Sequence, residues 1–504
     1  MLPLRIETPE RFAALRTLLT RAHYESERIC ARLGVATLYD YYSLCKHRPT
    51  APPPSDALDV LIRLFIDEAT LDRGVVQSLL PAANIDTLEA FGLLTSDEDH
   101  VRTYRSSVLL YPTDSLYIAS DRTPAADEPF PTTDLVYSAI SDSTRHFLAL
   151  LPSDPCENFL ELCAGTGIAA LRAARHAGHA WAADISWRAI HFARFNGLLN
   201  DVDNFTPVGG DLFQAVPGQT FDRICAHPPY MPALEQALLY HDGGQDGEQI
   251  TRRIVAGLPT FLRQGGLFYC YCLMSDRDGQ PAEERLREML GNAAGEFDVA
   301  VVVLHRSRPE EYYAHFLSEK SVTASAAQAH LEALERLRVQ RLLFCWVVIQ
   351  RPHYPRGVFS IRRRAGKGTR HQHVDWLLRR ESAALELGSA EWLLDARPMR
   401  SPGVHLNVAH QLGTQGWAPT ERSLQTATPF PLTAKCPSWA AKFVADCDGK
   451  TTVREHFEAL RGSGVVGEQT SEDVLLSSVG ALLAGGFVYV DGFEPPSVET
   501  TEES

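Results

Sequence analysis

The residues best placed to do chemistry lie between positions 161 and 230. Glu161, Gly165 and Gly167 stand in ELCAGTGIAALRAA with E-x-x-x-G-x-G spacing, where an apolar run gives way to a helical one. Glycines at these places let the backbone turn tightly and approach a ligand with no side chain between them. Asp184, in HAWAADIS, follows about twenty residues later, and a carboxylate at a strand tip there can accept both hydroxyl protons of a ribose. Ala170 occupies the place of the third glycine of a dinucleotide loop, and there is no Gly-Lys-Ser/Thr run, so a pyrophosphate or triphosphate fits poorly. Glu161 adds a negative charge that suits a cationic moiety better than a phosphate. Asp211, in VGGDLF, stands where an acid can bond a base amino group. Each acid alone also reads as a helix cap; at three successive strand ends they read as a site.

The stretch FDRICAHPPYMP closes an apolar strand with His227, Pro228, Pro229 and Tyr230. The prolines make a rigid backbone whose carbonyls stay free to accept hydrogen bonds, and Tyr230 offers a flat ring. A neutral imidazole at 227 has one acceptor nitrogen. It can take one N–H bond, act as a general base for an acceptor that must lose a proton, or merely pack. Downstream, HDGGQDGEQITRR (241–253) reads either as a loop that orders over the site, its acids placing a substrate, or as a plain turn with Asp246 capping a helix. Tyr312, Tyr313 and His315 read as surface aromatics, with the edge of a substrate pocket as the alternative.

These residues need a scaffold of alternating elements. ENFLELCA, HAWAADIS, FDRICAHP, GGLFYCYCL, FDVAVVVLH and RLLFCWVVIQ are apolar runs of strand length, with helical patterns between most of them. That alternation predicts an α/β fold, a doubly wound, mostly parallel Rossmann-like sheet with its ligand at the carboxyl ends of the strands. This domain is expected over 131–360. The block 1–130 has helical patterns (59–69, 75–80, 85–94) followed by strand-like pieces, the order of a winged helix. The block 361–495 repeats helix, helix, glycine, strand near its end, and a polar tail, 496–504, is expected to be disordered. Residues 362–380 carry seven Lys or Arg against Asp375, a solvated face or a contact for RNA or an acidic partner.

The net charge of -15 argues against an extended nucleic-acid surface, though not against a local basic patch. Ten scattered cysteines without a CxxC pair predict reduced, buried thiols and no metal site. No apolar run reaches the roughly 20 residues of a membrane span, and no signal peptide is visible, so a cytoplasmic protein without membrane partners is expected.

In order and spacing, LELCAGTGIAALRAARHAG, DISWRAIHFARFNGLLN, GDLF, FDRICAHPPYM and DGGQDGEQITRRIVAGLPTFLRQGGLFY resemble the class I S-adenosylmethionine-dependent methyltransferases. More narrowly they resemble the branch of the release-factor glutamine and ribosomal RNA guanine N-methyltransferases, over residues 135 to 275. The resemblance implies S-adenosylmethionine as cofactor. The glycine loop, with Glu161, Cys163, Gly165 and Gly167, would hold its methionine part, Asp184 and Ile185 its ribose, and Asp211 and Leu212 its adenine. The family's Asn-Pro-Pro-Tyr holds a planar substrate NH2 between the Asn side chain and the first proline's carbonyl, under the aromatic ring. His227, Pro228 and Tyr230 match it, with His departing from Asn. The implied activity is methyl transfer to a planar nitrogen of a macromolecule, a protein glutamine-like amide or an RNA base amine. Alternatives are a small-metabolite methyltransferase and a catalytically inactive binding protein.

Overall fold

The computed structural model describes residues 2–44, 52–96, 102–122, 132–234, 238–318, 322–387, 391–427, 429–467 and 470–496. The chain divides into two compact units: residues 1–294 with 307–353, and residues 295–306 with 354–504.

The first unit is built on a sheet of β1 (Cys156–Leu162), β2 (Ala177–Asp184), β3 (Phe205–Gly209), β4 (Phe221–Ala226), β5 (Leu262–Arg277) and β6 (Val339–Gln350). They lie in the order β3-β2-β1-β4-β5-β6. β1 to β5 pair parallel with their neighbours, and β6 runs antiparallel to β5. Strand order reverses between β1 and β4, which makes the crevice beyond their carboxyl ends the expected ligand position. The strands are apolar along most of their length because helices cover them. The helices used below are α1 (Asp142–Leu150), α2 (Ile168–Ala173), α3 (Trp187–Leu199), α4 (Gln249–Phe261), α5 (Ala282–Leu290) and α6 (Pro309–Ser318).

The N-terminal block belongs to this same unit. Its last hairpin, Val108–Thr113 with Leu116–Asp121, turns on Asp114 and Ser115, both at positive φ (50° and 58°), the two-residue turn whose twist matches paired strands. The hairpin's free edge is closed by amide side chains of α3 and of its C-cap residue, Asn200. Asn196 exchanges two hydrogen bonds with the backbone of Ala119 (2.8 and 3.1 Å), and Asn200 does the same with Tyr117 (2.8 and 2.7 Å). Spaced one helical turn apart, the two amides imitate a neighbouring strand and satisfy buried groups that an open edge would leave orphaned. Before the hairpin, a helix (Ala57–Phe65), a strand (Leu71–Asp72), two helices (Arg73–Leu79, Ala82–Ala90) and two strands (Thr95–Ser96, Thr103–Arg105) follow in turn. The three strands form a small antiparallel sheet with Thr103–Arg105 in its middle.

In the second unit, Ser360–Arg364 pairs parallel with Asp298–Ser307. Three strands (His405–Gly413, Gly416–Thr426, Leu432–Lys435) form an antiparallel sheet, followed by helices Ser438–Asp446, Val453–Gly462 and Glu472–Ala484 around a core of Phe443, Phe457, Leu475 and Val479. Arg363 and Arg380 donate to the carbonyls of Ala484 (3.0 Å) and Leu483 (2.9 Å), at the end of the last helix, where a cation meets the negative end of the helix dipole. The nine cysteines that are described are all free thiols, and Cys45 lies outside the described residues. Most of the polar tail, 497–504, also lies outside them. Among the described residues no helix is long and apolar enough to cross a membrane.

Candidate active site

Strand register brings the chemistry to one level. Leu162 at the end of β1 opposes Ala183 in β2 and Ala226 in β4, so the next residues, Cys163, Asp184 and His227, share one edge of the sheet. The chain then leaves β1 through an unusual turn. Cys163 is a non-glycine residue at φ 55°, followed by Gly165 and Gly167 at 53° and 76°. A side chain at Gly165 would meet no atom within 4 Å, so the backbone there faces open space, the cradle a ligand would fill. Asn196 donates to the carbonyl of Thr166 (3.0 Å) and fixes the turn from behind.

Glu161 is buried, 3% exposed, and its Oε2 accepts the backbone N–H of Ala170 (2.8 Å). Gly167 opens α2 without a capping side chain, and Glu161 supplies the missing acceptor from the neighbouring strand. Burial nevertheless pushes its carboxyl up to about 8, partly offset by those helix amides. Asp184 accepts from the backbone of Gly165 (2.9 Å) through Oδ2 and of Ser186 (2.9 Å) through Oδ1, tying the glycine turn to the tip of β2. Burial raises its carboxyl, and these amide bonds oppose that.

Ile185 and Trp187 follow Asp184 with 52% and 76% of their surfaces exposed, and the Trp187 ring lies against Gly209 at the tip of β3. They make an apolar shelf between Asp184 and Asp211 that the sequence reading only half anticipated. Its signal was a large apolar side chain directly after a strand-end acid. Asp211 is paired with Arg253 of α4 at 2.7 Å, and Leu212 beside it holds φ at 53°. The arrangement offers two carboxylates, an apolar shelf and an open glycine turn, which fits a nucleoside with a cationic tail.

His227 sits among rings. Its centroid lies 5.3 Å from Phe147, 5.3 Å from Tyr271 and 5.6 Å from Tyr230, the last nearly parallel at 18°. No side-chain hydrogen bond joins it to the described residues. Burial lowers the imidazole to about 4, so it is neutral near pH 7. A group titrating there is poorly matched to removing protons at neutral pH, which weakens the general-base reading. Burial also pushes the Tyr230 hydroxyl up to about 12, so this residue acts as a ring and a neutral O–H.

The glycine-rich segment after HPPY doubles back onto it. Met231 donates to His241 (3.0 Å) and accepts from Gly243 (2.8 Å). A side chain at Gly247, φ 76°, would come within 2.3 Å of the Tyr230 carbonyl, and one at Gly243 within 2.8 Å of the Pro229 carbonyl. Asp246 is not the cap of α4, whose N-cap is Glu248; it accepts from Glu248 N (2.9 Å) in the turn before the helix and holds Arg252 (2.9 Å) and Arg277 (2.6 Å). Glu248, fully buried, takes Ser275 N (2.8 Å) and both terminal nitrogens of Arg285. Asp246 and Glu248 are thus buried within their ion pairs, which leaves them unsuited to holding a substrate.

The expectation that Tyr312 and Tyr313 are surface aromatics is corrected. They are 6% and 4% exposed and belong to a core cluster with Leu273, Leu334 and Leu342, against which Tyr230 and Met231 pack. The Tyr312 hydroxyl reaches the Met231 sulfur at 3.3 Å. They support the HPPY segment from beneath.

Residues 132–296 match the family described as methyltransferase small domain. Over 118 residues the chain is 35% identical to a putative protein N5-glutamine methyltransferase of Methanocaldococcus jannaschii, covering 22% of this chain and 59% of the relative. It is 27% identical over 154 residues to a release factor glutamine methyltransferase of Thermodesulfovibrio yellowstonii, covering 28% and 53%. A ribosomal protein uL3 glutamine methyltransferase of Bradyrhizobium diazoefficiens is 35% identical over 127 residues, covering 23% and 40%. The chain spans about half the length of the curated relatives it matches. The segment that builds the site lies within the residues, 132–296, that are similar to the methyltransferase small domain.

Proposed function

We propose that the chain is an S-adenosylmethionine-dependent methyltransferase that transfers the methyl group to a planar nitrogen of a macromolecule, a protein amide or an RNA base amine. The observation that carries this reading is the single edge on which Cys163, Asp184 and His227 meet, between an open glycine turn and a rigid HPPY carbonyl. Glu161, Cys163, Gly165 and Gly167 would hold the amino-acid end of the cofactor, Asp184 and Ile185 its ribose, and Asp211 and Leu212 its base. The bound cofactor supplies an electrophilic sulfonium methyl. The chain's own task is positioning, because a conjugated nitrogen reacts only when its lone pair is aimed along the methyl's axis. The Pro228 carbonyl accepts one acceptor N–H, the Tyr230 ring packs on the planar group, and neutral His227 offers a ring wall with one further acceptor nitrogen. The proposed organisation keeps a winged-helix-like module in 1–130, the methyltransferase domain in 131–360 and a second such module toward the end of 361–495. Its proposed partners are protein or RNA substrates, and its proposed location is the cytoplasm.

Titration of labelled S-adenosylmethionine into the full chain by equilibrium dialysis is expected to give one saturable site, lost in Asp184→Ala. Its pH dependence has a definite sign. Glu161 free of ligand titrates at about 8, and a cationic group beside it favours the ionised form, so binding below that pH releases a proton. Affinity should rise as pH increases toward 8 and level off above, and Glu161→Gln should flatten the profile. The absence of saturable binding to the wild-type chain would remove the methyltransferase reading.

A further inference from the structure

We infer that the acceptor seat takes a flat heteroaromatic ring, of the nucleobase kind, in preference to a side-chain amide, and that Tyr137 and Tyr240 select it. The inference rests on the methyltransferase reading above and adds the substrate class. It starts from what surrounds the acceptor position. Phe147, Tyr230 and Tyr271 ring His227, and Tyr271 stacks in turn on His146 (6.0 Å, 18°). A carboxamide acceptor is small and would cover little of the ring surface that lines these walls. A heteroaromatic ring instead gains from every ring face it meets, because each of its own faces is a π surface.

Tyr137 and Tyr240 extend this lining outward. Their rings stack at 5.3 Å and 10°, yet Tyr137 keeps 38% of its surface exposed, so one stacking partner is in place and part of the ring is left for another. They come from separate segments: Tyr137 from the stretch entering α1, Tyr240 from the segment that doubles back after HPPY. Leu239 N donates to the Thr133 carbonyl (2.9 Å), which joins the two segments beside the tyrosines. Met231 N, next to Tyr230, donates to the carbonyl of His241, next to Tyr240 (3.0 Å), which brings the two tyrosine-bearing segments together at HPPY. Tyrosine suits such a role, having a large flat surface and only two side-chain torsions to order.

The ring can belong to an RNA nucleotide or to a free small molecule, and the test separates these. The full chain, saturated with S-adenosylhomocysteine, is titrated calorimetrically with guanosine, with a short unstructured oligoribonucleotide and with N-acetylglutamine amide. A ring probe is expected to bind. Tyr137→Ala and Tyr240→Ala should each weaken it about tenfold, the size of one lost base–aromatic stack, Tyr137→Phe should keep it, and none should change S-adenosylhomocysteine affinity. Binding of the oligonucleotide much tighter than guanosine assigns the ring to RNA, and equal binding assigns it to a small molecule. The inference is overturned if neither ring probe binds, if the glutamine amide binds more tightly than both, or if the alanine variants bind the ring as wild type does. Loss of saturable S-adenosylhomocysteine binding in the wild-type chain would instead mark failure of the methyltransferase reading.

Discussion

Replacing Glu248 by methionine is expected to lower the stability of the first unit by about 3–5 kcal/mol, the usual consequence of stranding one member of a buried ion pair. Glu248 is 0% exposed and Arg285 4%, and the carboxylate holds Arg285 and the Ser275 backbone together. Without it the Arg285 guanidinium stays buried with only the Ser275 oxygens as acceptors, and the Ser275 N–H loses its partner. Arg285→Met should cost less, because Arg252 (3.7 Å) and Arg277 (3.8 Å) remain beside the carboxylate. The double variant Glu248→Met with Arg285→Met should recover much of the loss, since an apolar pair often replaces a buried ion pair with little penalty. Thermal unfolding checks this. At about 2 °C per kcal/mol for a unit of this size, Glu248→Met lowers the midpoint by roughly 6 to 10 °C. Equal losses in both single variants and no recovery in the double would contradict the pairing.

Gly247→Ala is expected to reduce methyl transfer at least about 100-fold while leaving S-adenosylmethionine affinity within a factor of about two. Two effects combine at this position. Gly247 holds φ 76°, which an alanine adopts only under strain, and the added methyl would lie 2.3 Å from the Tyr230 carbonyl. Backbone must move, and the backbone it meets belongs to HPPY. A displacement of about 1 Å in a group that aims a reacting atom costs on the order of 100-fold in rate. The cofactor cradle at Gly165 and Asp184 lies on other strands and is untouched. Single-turnover transfer beside equilibrium dialysis separates the two readouts, and a variant with unchanged transfer would show that this segment does not set the HPPY geometry.

β1, β2, β4, β5 and β6 were legible in the sequence as apolar runs of strand length with the site motifs at their ends, whereas β3, FTPVG, is short and only half-buried and carries no such run. Glu161, Asp184 and Asp211 were readable as a set for the same reason: the carboxyl ends of parallel strands lie on the ligand edge. What Glu161 does there was not readable. Its partner is the amide of Ala170 at the start of a helix that lacks its own cap, a contact visible only once strand and helix are packed. The pairing of Glu248 with Arg285 spans 37 residues and follows no local period. Tyr137 and Tyr240 lie in segments without periodicity, so nothing in their neighbourhoods marked them. Tyr312 and Tyr313 looked like surface residues because the charged run HRSRPEE precedes them, but α6 turns both toward the core. The bonds by which Asn196 and Asn200 hold the N-terminal hairpin join residues 77 and 83 positions apart, so no local pattern marks them.

The central claim, methyl transfer to a planar nitrogen, is tested most directly by incubating the full chain with methyl-labelled S-adenosylmethionine and fractionated cell lysate, then locating the label by mass spectrometry. The expected result is label on a conjugated nitrogen of one macromolecular fraction, absent with Asp184→Ala. Label confined to oxygen, sulfur or carbon, or no transfer by a chain that binds the cofactor saturably, would contradict it.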